Sequence, residues 1–278
     1  MSANTKILQL YYKPEQVGKL DTDFTPYDNT DNLRPDLREW YVWDKTYEEQ
    51  FADGTEYLGY VSWKFKEKTN LTGQQVLAHI NANPGADVYL FNPCILNEAV
   101  FINSWEQGDI HHPNISDIGN AFLHKLGNEG IDVRSIVLDQ NVSIFANYVV
   151  GNRKFWDGFM AFSRQLFTES EKDENFKHLV FGEGLSNYAH DKSLPNFTFL
   201  IERLLPTYLD LSDLDVVPYL YTAETLPEKY RPYIEELYAL SKLKVEINKH
   251  NSDELYVIWN TMRNVFLRRY GNGILGLE

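Results

Sequence analysis

Three stretches of this chain carry side chains able to act on a polar ligand. Tyr57-Leu-Gly-Tyr-Val-Ser-Trp-Lys-Phe-Lys66 is an apolar run that ends in aromatic and basic residues. Asp87-Val-Tyr-Leu-Phe-Asn92 is a second apolar run with polar residues at its ends. Two such runs, read as strands with a helix-length segment between them, are what an α/β sheet needs to present a ligand site at its strand ends. Trp63, Lys64, Lys66 and Asn92 are then tip residues, and that set suits a phosphate-and-sugar ligand better than an apolar one. The third stretch, Trp105-Glu-Gln-Gly-Asp-Ile-His-His112, joins an aromatic platform to carboxylates and imidazoles. Trp105 is placed to stack on a sugar, and Glu106, Asp109, His111 or His112 to take a proton from its hydroxyl.

Other chemistries find less support. No Gly-rich dinucleotide turn follows a strand and opens a helix, no phosphate-cradling P-loop occurs, and no Gly-x-Ser-x-Gly elbow is present. Cys94, after Pro93, reads as a buried, inert thiol. Adjacent histidines on an extended loop point apart, so His111 and His112 make a poor joint metal site; ligand contact and plain surface loop are the other readings. Asp87-Val-Tyr89 lacks the second carboxylate of an Asp-x-Asp pair, and Asp213-Leu-Asp215 reads as a solvated turn. No metal ligands are therefore assigned, although a divalent cation such as Mn or Mg stays open as a cofactor. Without one, charge on a leaving phosphate falls to Lys or Arg. Lys64, Lys66 and Lys68 alternate as on an exposed strand face, or as an electrostatic grip on a diphosphate. Glu202-Arg203, inside an apolar helix, reads first as a structural ion pair and second as a ligand clamp.

Composition bounds the partners. The 278 residues suffice for one large domain with an appendage, and 43% hydrophobic content supports a core. Aromatic content is 14%, with 18 Tyr, 16 Phe and 6 Trp, which is compatible with stacking on sugars although core filling accounts for most of it. A formal charge of −14 argues against nucleic acid as a partner. The single cysteine excludes an internal disulfide framework and fits a reducing compartment. No apolar run approaches the ~18 residues of a membrane span. The expectation is a cytoplasmic protein, peripheral at most at the inner membrane.

These residues must be positioned by elements that periodicity and capping outline. Strands are predicted over 6–12, 57–65, 87–92 and 143–150, with 132–138 an apolar β-branched stretch. Helices are predicted over 35–52, 73–82, 96–107, from Ser116 to about Leu126, and over 153–169, 196–209, 228–247 and 252–269. Gln107 to Pro113 reads as a loop. Alternating strands and helices imply an α/β fold with a parallel or mixed sheet. The division is a sheet domain over 1–214 and a helical appendage over 215–278.

Several of these segments together resemble a bacterial galactofuranosyltransferase-like family of O-antigen and capsule synthesis, a variant of the GT-A nucleotide-sugar fold. The resemblance rests on Asp28-Asn29 followed by a helix with Glu39 and the Trp40–Trp43 cluster, and on Gly59-Tyr-Val-Ser-Trp-Lys64. It also rests on Asn92-Pro93, Asn147 to Asp157, and Phe199-Leu-Ile-Glu-Arg-Leu-Leu205. It spans residues 6–210. The family's His-aromatic-Arg-Arg run is here Ser62-Trp63-Lys64-Phe65, which reduces its basic content.

The resemblance implies a GT-A-like, Rossmann-like mixed sheet flanked by helices. It implies an enzyme that moves a sugar from a nucleotide-sugar donor to a saccharide or lipid-linked saccharide acceptor. Lys64 stands in the place of the family's first arginine, and Asn29, Glu39, Glu202 and Arg203 match family positions. On that reading Tyr11 or Tyr12 stacks on the base, and Lys64, with Lys66, steadies the diphosphate. Trp63, Asn29 and Asn92 join the donor side, Trp105 and Arg203 contact sugar or acceptor, and Glu106 or Asp109 is the base with His111 or His112 as substitute. The alternatives are a catalytically inactive carbohydrate- or nucleotide-binding protein of the same fold and, more remotely, a phage- or capsule-associated structural protein.

Overall fold

The apolar runs of the sequence become strands of one mixed sheet. The computed structural model describes residues 4–182 and 194–274. Its strands are β1 (Thr5–Tyr11), β2 (Thr25–Asp28), β3 (Tyr57–Ser62), β4 (Val88–Leu90), β5 (Val149–Gly151) and β6 (Val216–Pro218). Spatial order is β2-β1-β3-β5-β4-β6. β1 runs parallel to β2 and β3, and β4 parallel to β6, while β5 is antiparallel to both its neighbours.

The helices are α1 (Arg38–Ala52), α2 (Phe65–Thr69), α3 (Gly73–Ala82), α4 (Ile95–Val100), α5 (Ser104–His111) and α6 (Ile115–Lys125). They continue as α7 (Arg153–Lys172), α8 (Glu174–Phe181), α9 (Asn196–Asp210), α10 (Ile234–His250) and α11 (Asp253–Ile274). The fold is thus the α/β class expected, with helices on both faces of the sheet.

Alternation along the strands divides the core in two. Leu8, Leu10, Leu58, Tyr60, Leu90 and Val149 pack on one side with residues of α1, α5, α6, α7 and α9. Ile7, Tyr57, Val61, Tyr89 and Val150 pack on the other with residues of α3, α4, α10 and α11. Burial on both faces explains why these strands read as nearly continuous apolar runs. Gly59 lets β3 and β5 close up: a Cβ there would lie 2.7 Å from Val150 Cγ2 and 3.0 Å from the Val149 carbonyl oxygen.

Helix α3 has the predicted bounds because its start is chemically marked. Thr72 Oγ1 accepts from the Gln75 amide at 3.3 Å, and Gln75 Oε1 accepts from the Thr72 amide at 2.9 Å, a reciprocal capping pair. Elsewhere the sequence reading needs correction. The predicted strand over 143–150 narrows to β5, and 132–138 forms no strand. β3 stops at Ser62, so Lys64, Lys66 and Lys68 do not alternate on a strand: Lys64 caps α2 and the other two lie within it. The segment from Gln107 reads as a loop but is the second half of α5, which runs to His111.

The stretch from 215 onward supplies the edge strand β6 as well as helices, and α10 is tied to α4 by a buried lysine. Lys244 Nζ donates to the carbonyls of Glu98 at 2.6 Å and Phe101 at 2.8 Å and lies 3.6 Å from Glu98 Oε1. Among the described residues, no helix is long and apolar enough to cross a membrane.

Candidate functional site

The carboxyl ends of β1 and β3 open into a cavity of about 540 Å³. Parallel strands end there and the chain turns back along helices, the position where open α/β sheets bind ligands. Leu10 and Tyr12 line it from the end of β1, Val61 and Ser62 from β3, and Asn147 and Tyr148 from the approach to β5. Arg38 and Glu39 come from the start of α1, Lys68 from α2, and Gln107, His111 and His112 from the end of α5. Thr198, Phe199, Glu202 and Arg203 complete the wall from α9.

Two residues of this rim have positive φ. Arg38 has φ 51° and ψ −135°, an uncommon conformation for a non-glycine residue. It joins a short 3₁₀ turn at Pro35–Leu37 to α1 and so sets the direction in which α1 starts. Asn147 has φ 53°, which asparagine tolerates better than most residues. That conformation presents its side chain to α1, where Nδ2 donates to Glu39 Oε1 at 3.1 Å. Strained residues of this kind concentrate at functional sites.

Two half-buried carboxylates, Glu39 and Glu202, face this cavity. Burial pushes the Glu202 carboxyl up to about 7, the Arg203 guanidinium draws it back, and the negative charge of Glu39 adds to the rise. Arg203 is itself buried. Its Nη1 donates to the Phe199 carbonyl at 2.8 Å and lies 3.5 Å from Glu202 Oε2, and its Nη2 donates to Gln107 Oε1 at 2.9 Å. Its Nε has no hydrogen-bond partner among the described residues and abuts Gly108. A Cβ built on Gly108 would overlap that nitrogen. Gly108→Ala is therefore expected to displace Arg203 and to destabilise the fold by about 1–3 kcal/mol, as over-packing does. Thermal melts of the variant check this, and an unchanged melting temperature would contradict the packing described.

The imidazoles contribute as neutral groups. His112 is buried and stacks on Phe199 with ring centroids 3.6 Å apart and planes 21° from parallel. Burial pushes its pKa down to about 3, and the charges of Arg203 and His111 act in the same direction. His111 is exposed at the rim, and its pKa is lowered by partial desolvation and by Arg203. Opposite them, the Tyr148 hydroxyl shares a 2.7 Å hydrogen bond with Ser62 Oγ, and the Lys68 ammonium stands 5.8 Å from the Tyr148 ring centroid.

Of the residues singled out in the sequence, Tyr12, His111, His112 and Arg203 line this cavity, as do Glu39 and Glu202. Lys68, one of the three alternating lysines, lines it as well, and the other candidates lie outside its lining. Trp105 is fully buried, its Nε1 donates to Thr207 Oγ1 at 2.8 Å, and its ring fills the space left by Gly119. It is a core residue of α5 and no platform for a sugar. Glu106 accepts from the Ile102 amide at 2.8 Å and from Arg263 Nη2 at 2.6 Å, which fixes α5 to α11. Asp109 accepts from the amide and hydroxyl of Ser116 at 3.1 and 2.6 Å and so holds the start of α6. Both carboxylates are committed to helix contacts.

The donor-side expectations divide similarly. Trp63 is half-buried on the surface beyond Ser62, with the Lys19 and Lys64 ammonium groups 4.8 and 5.0 Å from its ring centroid. Lys66 is exposed on α2 away from the lining. Tyr11 turns its hydroxyl to Asp28, which holds its pKa up. Asn29 is buried just after β2, where its backbone amide donates to the Tyr11 carbonyl at 2.9 Å. Asn92 accepts from the Cys94 amide at 3.1 Å and faces a separate cavity of about 60 Å³. Arg38, Gln107, Asn147, Tyr148 and Thr198 are wall residues that the sequence did not single out for chemistry. Only asparagine's tolerance of positive φ, at 147, is a signal a sequence can carry.

Among the described residues, no three His, Cys, Asp or Glu side chains gather as a metal site requires. The chemistry below is derived from the chain's own cations.

No family model matches this chain, and no curated protein matches it. Among solved structures, it is similar to the apo structure of WbbM, a bifunctional glycosyltransferase, with a TM-score of 0.46 and 15% sequence identity. The match covers 79% of this chain and 46% of that one, so this chain spans less than half the length of that protein.

Proposed function

We propose that this chain is a glycosyltransferase that moves a sugar from a nucleotide-sugar donor to a saccharide or lipid-linked saccharide acceptor, in the synthesis of a bacterial surface polysaccharide such as O-antigen or capsule. The observation that carries this reading is convergence. Glu39 on α1 and the adjacent pair Glu202-Arg203 on α9 are remote from each other in sequence, the family resemblance picks them out, and all three line one cavity at the strand ends.

Each wall group then has a task. Lys68 and Arg38, exposed cations on the lining, hold the diphosphate as negative charge builds on it. Tyr12, at the end of β1, offers its ring to the base. Glu39, fixed by Asn147, accepts hydrogen bonds from the sugar. The acceptor oxygen forms its bond to the anomeric carbon as the bond from that carbon to the phosphate oxygen breaks, and the electron pair leaves with the nucleoside diphosphate. The acceptor's proton goes to Glu202, whose raised affinity for it suits a base working near neutrality. Arg203 holds Glu202 in place. The phosphate-side role passes from Lys64 to Lys68, one helical turn further on.

A thermal-shift series against nucleoside diphosphates and nucleotide sugars tests the reading. At least one ligand is expected to raise the melting temperature progressively with concentration; no response to any of them counts against it. Lys68→Ala is expected to weaken diphosphate binding about 10- to 100-fold, the worth of one charged hydrogen bond, while Lys64→Ala leaves it within a few-fold of wild type. Titration calorimetry separates the two, and the reverse ranking would return the phosphate site to Trp63 and Lys64.

A further inference from the structure

Helix α11 is apolar on both sides. Its inner side carries Trp259, whose Nε1 donates to the Ala99 carbonyl at 3.1 Å, together with Phe266 and Arg263. Its outer side carries Val257, Ile258, Met262 and Val265, which are 61%, 48%, 41% and 59% exposed. An outward helix face is ordinarily polar, and a contiguous apolar stripe on one marks a docking surface.

The order of residues along the stripe identifies the occupant. Glu254, Ile258, Thr261, Val265 and Arg268 follow one another at intervals of four, three, four and three, the spacing of a helix-pairing seam. The seam is acidic at its start, apolar in its middle and basic at its end. Antiparallel pairing of two copies about a two-fold axis at Thr261 matches residue 261 − n with 261 + n. Glu254 then faces Arg268 of the second copy, Val257 faces Val265, and Asp253 faces Arg269. A two-fold interface must be self-complementary, and this one is so in charge at its two ends and in apolarity at Val257–Val265, while Ile258 faces Asn264 and Met262 faces Asn260. An anionic bilayer is the weaker fit: the chain's charge of −14 would be repelled by it, and Asp253 and Glu254 would lie at the contact.

We propose that α11 is the seam of an antiparallel homodimer, an inference independent of the catalytic reading. A single helix pair is smaller than a standard interface of about 800 Å² per partner, so the dimer is concentration-dependent. Sedimentation velocity over a wide range of protein concentration reads it directly. Wild type is expected to shift from monomer to dimer, and Val265→Glu to raise the dissociation constant at least tenfold. Glu254→Arg and Arg268→Glu are each expected to weaken the dimer by setting like charges opposite one another, and the double variant to recover it. Circular dichroism confirms that each variant keeps its helices. A wild-type monomer at every concentration, or a double variant no better than the singles, overturns the proposal. So does a monomer that co-sediments with phosphatidylcholine–phosphatidylserine vesicles and loses that binding on Val265→Glu.

Discussion

Glu202→Gln is expected to lower turnover about 10²- to 10⁴-fold, the usual contribution of a positioned general base. The substitution keeps the shape of the side chain and removes its ability to take a proton. In wild type the carboxyl must be ionised to act, so turnover rises as pH passes through about 7, and the variant loses that rise. Stability should move the other way. The folded-state pKa lies above the ordinary carboxylate value of 4.5, so the folded chain holds this proton more tightly than the unfolded chain does. The stability contributed by this group therefore falls as pH climbs from about 4.5 to about 7 and levels off above that range. The glutamine variant is free of this decline, and its melting temperature relative to wild type should be higher at pH ~8 than at pH ~4. Rate profiles and melts across pH test both halves. A variant that keeps the wild-type pH–rate profile would remove Glu202 from the chemistry.

Arg203→Met is expected to cost about 1–3 kcal/mol, because it strands the Phe199 and Gln107 acceptors while Glu202 keeps access to the cavity. The guanidinium is 4% exposed and has three tasks: it ties α9 to α5 through Gln107, satisfies the Phe199 carbonyl, and draws down the pKa of Glu202. Losing it leaves Glu202 at the cavity wall without its cation, so the remaining activity should rise at a pH above the wild-type value. Denaturant unfolding measures the first effect and the pH–rate profile the second. A variant destabilised but unshifted in pH would make Arg203 a strut of α9 with no part in tuning its neighbour.

Much of the frame was legible in the sequence because its signals are local. α3 keeps its predicted bounds because a capping pair opens it and Asn83-Pro-Gly85 closes it. The sheet was legible because strands covered on both faces read as apolar runs. The errors have equally local causes. Gly108 and the polar residues around it made the second half of α5 look like a loop, whereas the glycine is there to admit the buried Arg203. Trp105 looked like a platform because its neighbours are polar, yet Thr207 and Gly119, distant in sequence, give its indole a partner and a slot. The lysines after Trp63 looked strand-borne because β3 gives way to α2 without a glycine or proline between them.

The cavity itself lay beyond composition and periodicity. Glu39 and Glu202 meet only because α1 and α9 pack together on the same side of the sheet, and nothing in the spacing of either residue announces the other. The family resemblance named both positions together with Asn29 and Lys64, which lie outside the cavity. The direction of the cationic wall, toward Lys68 and Arg38 and away from Lys64, needed the tertiary structure.

The most direct test of this account is a crystal structure of the chain with a nucleotide sugar identified by thermal shift. The diphosphate is expected within hydrogen-bonding reach of Lys68, with the sugar between Glu39 and Glu202. Density for the ligand over Trp63 and Lys64, with the cavity between α1 and α9 left empty, would contradict it.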